Sequence, residues 1–322
     1  MYASDPAAVI PAVPPPSRVS PTEAMETDAL LSAVGNTPLV PLRRIADASG
    51  GGFELFAKAE FLNPTGSVKD RAAFGIVRSA LADGRLDRSK TLLDASSGNT
   101  AVALAFLGAR LGFRVELIVP RNVHPERLDR LRALGAAVEF TDPAEGTDGA
   151  QQEARRRAQR HPDRYFYADQ YNNPANPAAH YRTTGPEIWE ATRGRVSHFV
   201  AGVGTGGTIS GAGRYLRSKN PQVRVVGVEP DGPIHGLEGL KHLPTALRPS
   251  TYDAGVVDET VRIATEAAEG MRARLAREEG LTVGASAGAA VAAAVEVGRR
   301  NLGSCVVTVL PDAGHGRPGD VS

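Results

Sequence analysis

The feature that most constrains this chain is an alternation, from about residue 53 onward, of short apolar runs with segments of helical period. "FELFAKAE" (53–60), "TLLDA" (91–95), "FRVELIVP" (113–120), "AAVEF" (136–140), "SHFVAGV" (197–203), "VRVVGVEP" (223–230) and "CVVTVL" (305–310) are short and largely apolar, which predicts strands. Between them, helical patterns run over Lys69–Leu81, Asn99–Leu111, "HPERLDRLRAL" (124–134), Gly149–Arg160, Gly207–Arg217, Glu259–Glu279 and an Ala-rich stretch after Gly284. Strands that are apolar on both faces, each followed by a helix, predict mostly parallel sheets with helices on both sides. The expected class is therefore α/β. At 322 residues the chain is long enough for two such bodies.

Charge excludes several kinds of partner. The net charge is +1, so no general attraction to nucleic acid or to an anionic membrane is expected. The basic run from Arg155 to Arg164 continues a helical pattern and reads as a solvated face. The single cysteine, Cys305, excludes an intramolecular disulfide and a cysteine-based zinc site, and its strand context suggests a core thiol. Such cysteine usage fits a reducing cytoplasm. The longest apolar stretch, "AGAAVAAAV", is too short and too Ala-rich for a membrane span. Residues 1–24 carry six prolines and read as a disordered extension.

In open α/β sheets, ligands gather where strands end and helices begin. Four such junctions stand out. "NPTGSVKDR" (63–71) puts Lys69 at a helix start, where the helix dipole disfavours a cation; it is either a solvated lysine or an amine kept uncharged for chemistry. "DASSGNT" (94–100) crowds Ser96, Ser97, Asn99 and Thr100 at a helix N-terminus, which suits simple capping or the binding of a carboxylate or phosphate. "GVGTGGTISG" (202–211) matches a dinucleotide fingerprint with Glu229 at the end of the next strand, yet Thr205 and Thr208 suit a phosphate monoester equally well. "VGASAGAAV" sets Ser286 in a G-x-S-x-G turn with Asp312 and His315 downstream, which reads as a hydrolase elbow or as close helix packing. The irregular stretch 229–255 is too long for a simple connection, and loops of that length are usually functional.

Together, "GNTPLV", "NPTGSVKDR", "SSGNT", "DQYNNPANPAAHYRTTGPEIW", "GVGTGGTISG" and "GASAGAAV" resemble, in order and spacing, the fold-type II pyridoxal-phosphate enzymes of the cysteine synthase and cystathionine β-synthase family. The resemblance runs from about Leu30 to Asp312. It implies two three-layer α/β domains with mostly parallel sheets, the tryptophan synthase β-like fold. The larger, cofactor-binding domain would comprise residues 25–65 and 176–322, and the smaller, mobile one residues 66–175. It implies pyridoxal 5'-phosphate as cofactor, with Lys69 as the Schiff-base lysine and Gly204, Thr205, Gly206, Gly207 and Thr208 as the phosphate cradle. Asn99 matches the residue beside the ring oxygen, Ser286 the hydroxyl facing the pyridine nitrogen, and Ser96, Ser97, Thr100 and Gln170 the holders of the substrate's α-carboxylate. Lys241 lies in the segment that family members close over the β-substituent, where a cation would suit a phosphate leaving group.

The activity implied is β-replacement on O-acetyl- or O-phosphoserine through an α-aminoacrylate, with sulfide giving L-cysteine, in a cytoplasmic homodimer. Alternatives are cystathionine β-synthase, a 2,3-diaminopropionate-type synthase or a serine/threonine dehydratase. Two departures stand out: the loop reads S-S-G-N-T-A where cysteine synthases commonly have T-S-G-N-T-G, and "PDAGHGRPGDVS" replaces the family's usual C-terminal segment.

Overall fold

The computed structural model describes residues 19–314. Within them the chain forms two compact units: the described residues up to Ser32 with Ile76–Asp169, and Ala33–Gly75 with the described residues from Gln170 on. The unit boundaries differ from the expected 65/66 and 175/176. Residues 66–75 stay with the larger unit because Val68 N–H bonds to Pro311 O at 2.7 Å and Ser67 bridges Asp312. Residues 170–175 do so because Asn176 Nδ2 donates to Gln170 O and Thr251 Oγ1 to Tyr171 O.

The larger unit is a six-stranded sheet in the order β1-β2-β10-β7-β8-β9. Its strands are β1 (Leu39–Pro41), β2 (Glu54–Ala59), β7 (His198–Gly202), β8 (Arg224–Pro230), β9 (Glu259–Ile263) and β10 (Cys305–Leu310). All neighbours are parallel except β1 and β2. Successive strand residues serve opposite faces, which is why these runs are continuously apolar. Val306 and Leu310 enter one core with Val200, Val226, Val291 and Ala294, whereas Val307 and Val309 enter the other with Phe199, Ile209 and Leu216. The first core is covered by α3 (Arg43–Ala48), α11 (Thr265–Arg274) and α12 (Ala285–Arg300), the second by α9 (Thr184–Ala191) and α10 (Gly207–Lys219). The helix α8 (Ala175–Arg182) packs on α10. Cys305 is buried, and burial pushes its thiol up to about 11, so it is a core residue rather than a nucleophile.

The smaller unit holds a fully parallel four-stranded sheet, β5-β4-β3-β6, from β3 (Thr91–Asp94), β4 (Arg114–Pro120), β5 (Ala137–Thr141) and β6 (Tyr165–Tyr167). Leu93, Ile118 and Tyr165 pack against Ala150 and Ala154 of α7 (Gly146–Arg160). The helices α5 (Asn99–Leu111) and α6 (Pro125–Ala133) complete the crossovers. In α7, Arg155, Arg156 and Arg160 are exposed as expected, while Arg157 is half-buried and pairs with Glu116 and Glu153.

Two expectations need correction. The helix expected over Glu259–Glu279 begins as β9, because "ETVRI" buries alternate residues against β8, and its last turn widens to a π-helix over Leu275–Glu279. The extension expected to be disordered over 1–24 contains a helix, α1 (Pro21–Thr27), whose cap Ser20 accepts from Glu23 N–H and whose Met25 is buried. It is followed by α2 (Ala29–Ser32), whose neighbour Asp28 pairs with Arg110 of α5. The rest of that expectation, residues 1–18, lies outside the described residues. Strands β1 and β6 and helices α8 and α9 were not anticipated at all.

Candidate active site

In the larger unit the neighbouring strands β2, β10 and β7 all deliver their C-terminal ends to one edge. After β2 the chain turns through Glu60–Leu62 and "NPTGS" into α4 (Lys69–Ala82), of which Lys69 is the first residue. The turn is fixed locally. Thr65 N–H donates to Asp70 Oδ2 at 2.7 Å, Thr65 Oγ1 bonds Asp70 Oδ1, and Lys69 N–H donates to Ser67 Oγ at 3.2 Å. Burial holds the Lys69 amine below the ordinary lysine range, against the opposing pull of Asp312. Desolvation and the adverse helix dipole act in the same direction, toward the neutral amine.

Asp312 also orders the segment that bears Ser286. Gly284 N–H bonds to Asp312 O, Val283 bridges Ala313, and Gly284 directly precedes α12, whose second residue is Ser286. Ser286 is buried at this helix start. In the same helix, a methyl group on Gly288 would collide with Ala268 O, so close packing accounts for part of this small-residue run. The hydrolase alternative gains nothing here: Asp312 belongs to the surroundings of Lys69, and His315 lies outside the described residues.

After β7 the chain forms a tight loop, Val203–Gly206, leading into α10. Gly206 has φ +81°, and a side chain there would run into Tyr252. A Cβ on Gly204 would strike Gly239 O, and one on Gly207 would strike Asn176 Oδ1. The loop is thus clamped from behind by three segments, and the N-cap of α10 is Gly206, which has no side chain to cap the helix. Uncapped amides at a helix start form an anion site. Thr205 Oγ1 accepts from Asn176 Nδ2 (3.1 Å) and from Gly207 N–H (3.3 Å), and Thr251 Oγ1 donates to Thr205 O at 2.6 Å. Thr208 Oγ1 lies 3.2 Å from His180 Nε2, whose Nδ1 lies 2.9 Å from Thr184 Oγ1. Burial, with Arg71 and Lys69 nearby, pushes His180 down to about 3, so it is neutral near pH 7. The cradle therefore offers amides and hydroxyls rather than fixed cations.

Gln170 is buried beside this loop, its carbonyl held by Asn176. Lys241 N–H bonds to Val203 O at 2.8 Å, and its ammonium sits 4.9 Å from the centre of the Tyr171 ring, a cation–π distance. Lys241 is half-buried and directly beside the cradle.

The smaller unit carries the other group of expected residues. β3 ends at Asp94, the loop Ala95–Gly98 follows, and α5 begins at Asn99. Ser96, Ser97 and Asn99 are half-buried and Thr100 is buried at that helix start; Gly98 N–H donates to Ser96 Oγ at 3.3 Å. Asp94, fully enclosed beneath the loop, accepts from Ala95 N–H through Oδ1, while Oδ2 has no hydrogen-bond partner among the described residues. Burial, reinforced by Asp169, raises its carboxyl to about 7.

Sequence reasoning missed a buried ionic cluster behind Lys69. Lys58 donates to Thr37 and Glu187 (2.6 Å), and Arg71, two residues after Lys69, grips both Glu60 and Glu187 at 2.7–2.8 Å. Although burial opposes ionisation, Arg71 and Lys58 hold Glu60 at about 2. The only signal was the rarity of so many charges in apolar surroundings. Asn176 and His180 were also missed as individuals, although both lie in a quoted motif.

The family model described as pyridoxal-phosphate dependent enzyme matches residues 30–312, nearly the whole of the described chain. The chain belongs to this family. Within it, the chain is similar to a cysteine synthase of Aquifex aeolicus, 46% identical over 89% of this chain and 90% of the relative. It is also 40% identical to cysteine synthase B of Salmonella typhimurium, over 89% of this chain and 93% of that one. Among solved structures, cysteine synthase from Entamoeba histolytica superposes with a TM-score of 0.85 at 34% identity, covering 89% of this chain and 88% of that one. O-ureido-L-serine synthase gives 0.83 at 35% identity, covering 89% and 92%. The protein is thus a pyridoxal-phosphate-dependent, cysteine synthase-like enzyme, and its residues fit the cofactor. The clamped glycine loop with an uncapped helix start suits a phosphate, and the desolvated Lys69 suits a carbonyl partner. Among the described residues no helix is long and apolar enough to cross a membrane.

Proposed function

We propose that the protein catalyses β-replacement on an O-activated L-serine, with sulfide as nucleophile and L-cysteine as product. The observation that carries this reading is the desolvated Lys69 amine at the strand ends that also bear the amide cradle, with the segment leading to Ser286 bridged to Ala313 just beyond β10. Gly204–Thr208 would hold the cofactor phosphate, Asn99 the ring oxygen, and Ser286 the pyridine nitrogen. When bound, pyridoxal phosphate supplies the electron withdrawal that acidifies the substrate's Cα–H.

Each remaining task falls to the chain. Lys69 would hold the cofactor in the resting enzyme and, as a free amine beside the bound substrate, would remove the Cα proton as general base. The leaving group departs from Cβ as acetate or phosphate. After hydrosulfide adds at Cβ, Lys69 returns the proton to Cα. Ser286, a hydroxyl rather than a carboxylate, would not hold a proton on the pyridine nitrogen, which would favour expulsion from Cβ over other fates. Ser96, Ser97, Thr100 and Gln170 hold the α-carboxylate through hydroxyls, amide and helix-start N–H groups.

Lys241 stands beside the cradle and supports use of O-phosphoserine as well as O-acetylserine, since a phosphate leaving group needs a cationic partner. We take the working form to be a cytoplasmic homodimer, which light scattering on the purified protein tests for its oligomeric part. A second reading, the same chemistry with another nucleophile, is favoured by the likeness to O-ureido-L-serine synthase.

The deciding experiment supplies O-acetyl-L-serine and O-phospho-L-serine with sulfide, homocysteine or an amine, and identifies products by mass spectrometry. Cysteine from sulfide is expected. Product only with another nucleophile would replace sulfide in this reading, and pyruvate with ammonia from serine alone would replace β-replacement by dehydration.

A further inference from the structure

The larger unit contains a cavity of about 320 Å³ lined by Glu229, Leu243, Arg248, Tyr252, Thr260 and Arg262. None of these residues has a task in the reaction above. The cavity follows from strand register. Glu229 and Arg262 are direct partners in the parallel pair of β8 and β9, and Thr260 lies two residues before Arg262 on the same face. Val261 and Ile263 point the other way, into the core.

Glu229 is 4% exposed and lies at the floor, whereas Arg248 and Arg262 are exposed at the rim. A carboxylate and a guanidinium directly opposite each other on adjacent strands normally close an ion pair. Here neither arginine forms one: among the described residues, the Glu229 carboxylate accepts only the Leu243 N–H, and Arg248 stacks on the Tyr252 ring at 5.2 Å. The cavity thus holds a desolvated anion inside and two uncommitted cations outside, beside an apolar wall of Leu243 and the Tyr252 ring.

We propose that this cavity binds a free amino acid with an apolar side chain, its ammonium on Glu229, its carboxylate between Arg248 and Arg262, and its side chain on Leu243 and Tyr252. A simple anion is a poor match, because the floor carboxylate repels it. A simple cation leaves both arginines unused. Only a ligand carrying both charges a few ångströms apart satisfies the three groups together.

Occupancy reaches the cofactor loop by a short route. Tyr252 abuts Gly206, and the adjacent Thr251 holds Thr205 O at 2.6 Å. The site is therefore regulatory in position, acting on the phosphate cradle from behind.

The test uses holoenzyme reduced with borohydride, so that a free amino acid cannot react at Lys69, and L-leucine, which has no β-leaving group. Isothermal titration calorimetry on the parent is expected to give saturable 1:1 binding. N-acetyl-L-leucine and L-leucinamide, which lack one charge each, should bind at least about tenfold more weakly. Arg262→Ala and Glu229→Gln should each weaken L-leucine binding by a similar factor with the circular dichroism spectrum unchanged, and L-leucine should shift the cofactor fluorescence of the parent but not of Arg262→Ala. Absence of binding at 10-fold the millimolar range, that is at roughly 10 mM, overturns the proposal. So does equal binding of N-acetyl-L-leucine, which marks an anion site. Binding that survives Arg262→Ala but is lost in Ser97→Ala assigns leucine to the substrate position and equally overturns it.

Discussion

Replacing Glu60 by Gln probes the ionic cluster that backs Lys69, and its consequence can be worked out from the fold. Glu60 is fully buried, takes two contacts from Arg71 at 2.7 and 2.8 Å, and accepts from Thr37 Oγ1 (2.6 Å) and Asn63 Nδ2 (2.8 Å). Its carboxyl lies at about 2 in the fold against an ordinary 4.5. That difference is equivalent to about 3 kcal/mol of stability near neutral pH. Because the folded value is the lower one, this stability is complete above pH 4.5 and is lost as pH falls toward 2. Glutamine carries no charge, so Glu60→Gln should be about 3 kcal/mol less stable at pH 7, with the gap roughly halved by pH 3. The magnitude matches the usual cost of removing one partner of a buried ion pair.

The only tryptophan, Trp189, lies in α9 of the larger unit next to Glu187, so its fluorescence in urea reports on the unit concerned. Turnover should fall as well, since Asn63 and Arg71 bracket the turn that presents Lys69. A loss below about 1 kcal/mol at pH 7, or a gap that does not change with pH, would refute the reasoning.

Further outcomes follow from the same geometry. Lys69→Ala should abolish turnover and the visible absorption of bound cofactor while leaving far-ultraviolet circular dichroism intact; retained turnover would remove Lys69 from its role. Ser286→Ala should weaken cofactor retention by one hydrogen bond, ~0.5–1.5 kcal/mol, measured by equilibrium dialysis; an esterase activity lost with the hydroxyl would instead revive the hydrolase reading. Asp94 lies at about 7 in the fold against 3.8 ordinarily, so its ionised form costs stability that grows as pH rises from 3.8 to 7 and is complete above that. Asp94→Asn should therefore stabilise the smaller unit at pH 8, on the order of 2–4 kcal/mol, and much less at pH 4, as read by thermal unfolding. Lys241→Ala should raise KM or lower kcat for O-phosphoserine and spare O-acetylserine; an equal effect on both donors would separate Lys241 from the leaving group.

Legibility in the sequence tracked how local each determinant is. The core strands could be read because both their faces are buried: "CVVTVL" is apolar at nearly every position because Val306 and Val307 serve different cores. The helix starts at Lys69, Asn99 and Gly207 could be read because turn-forming and small residues directly precede them. β9 was hidden because "ETVRI" alternates over five residues and then runs straight into a helical period, which absorbs so short a signal. β6 is three residues long and has no period to detect. For α1, the prolines masked a local rule that was present, since Ser20 followed by Pro21 and Glu23 is the signature of a helix start.

The cluster of Lys58, Glu60, Arg71 and Glu187 lies at the other extreme. Glu187 is 116 residues from Arg71 and 129 from Lys58, so no window of sequence contains the interaction. Each charge alone resembles a solvated surface residue, and only the sheet order that sets β2 beside β10, with α4 and α9 closing over its end, brings them together. The chemistry-bearing groups sit on short local motifs, whereas their alignment depends on contacts made across the whole larger unit. Substitutions in the motifs should therefore act on turnover at once, and substitutions in the cluster should act first on stability and only through it on the position of Lys69.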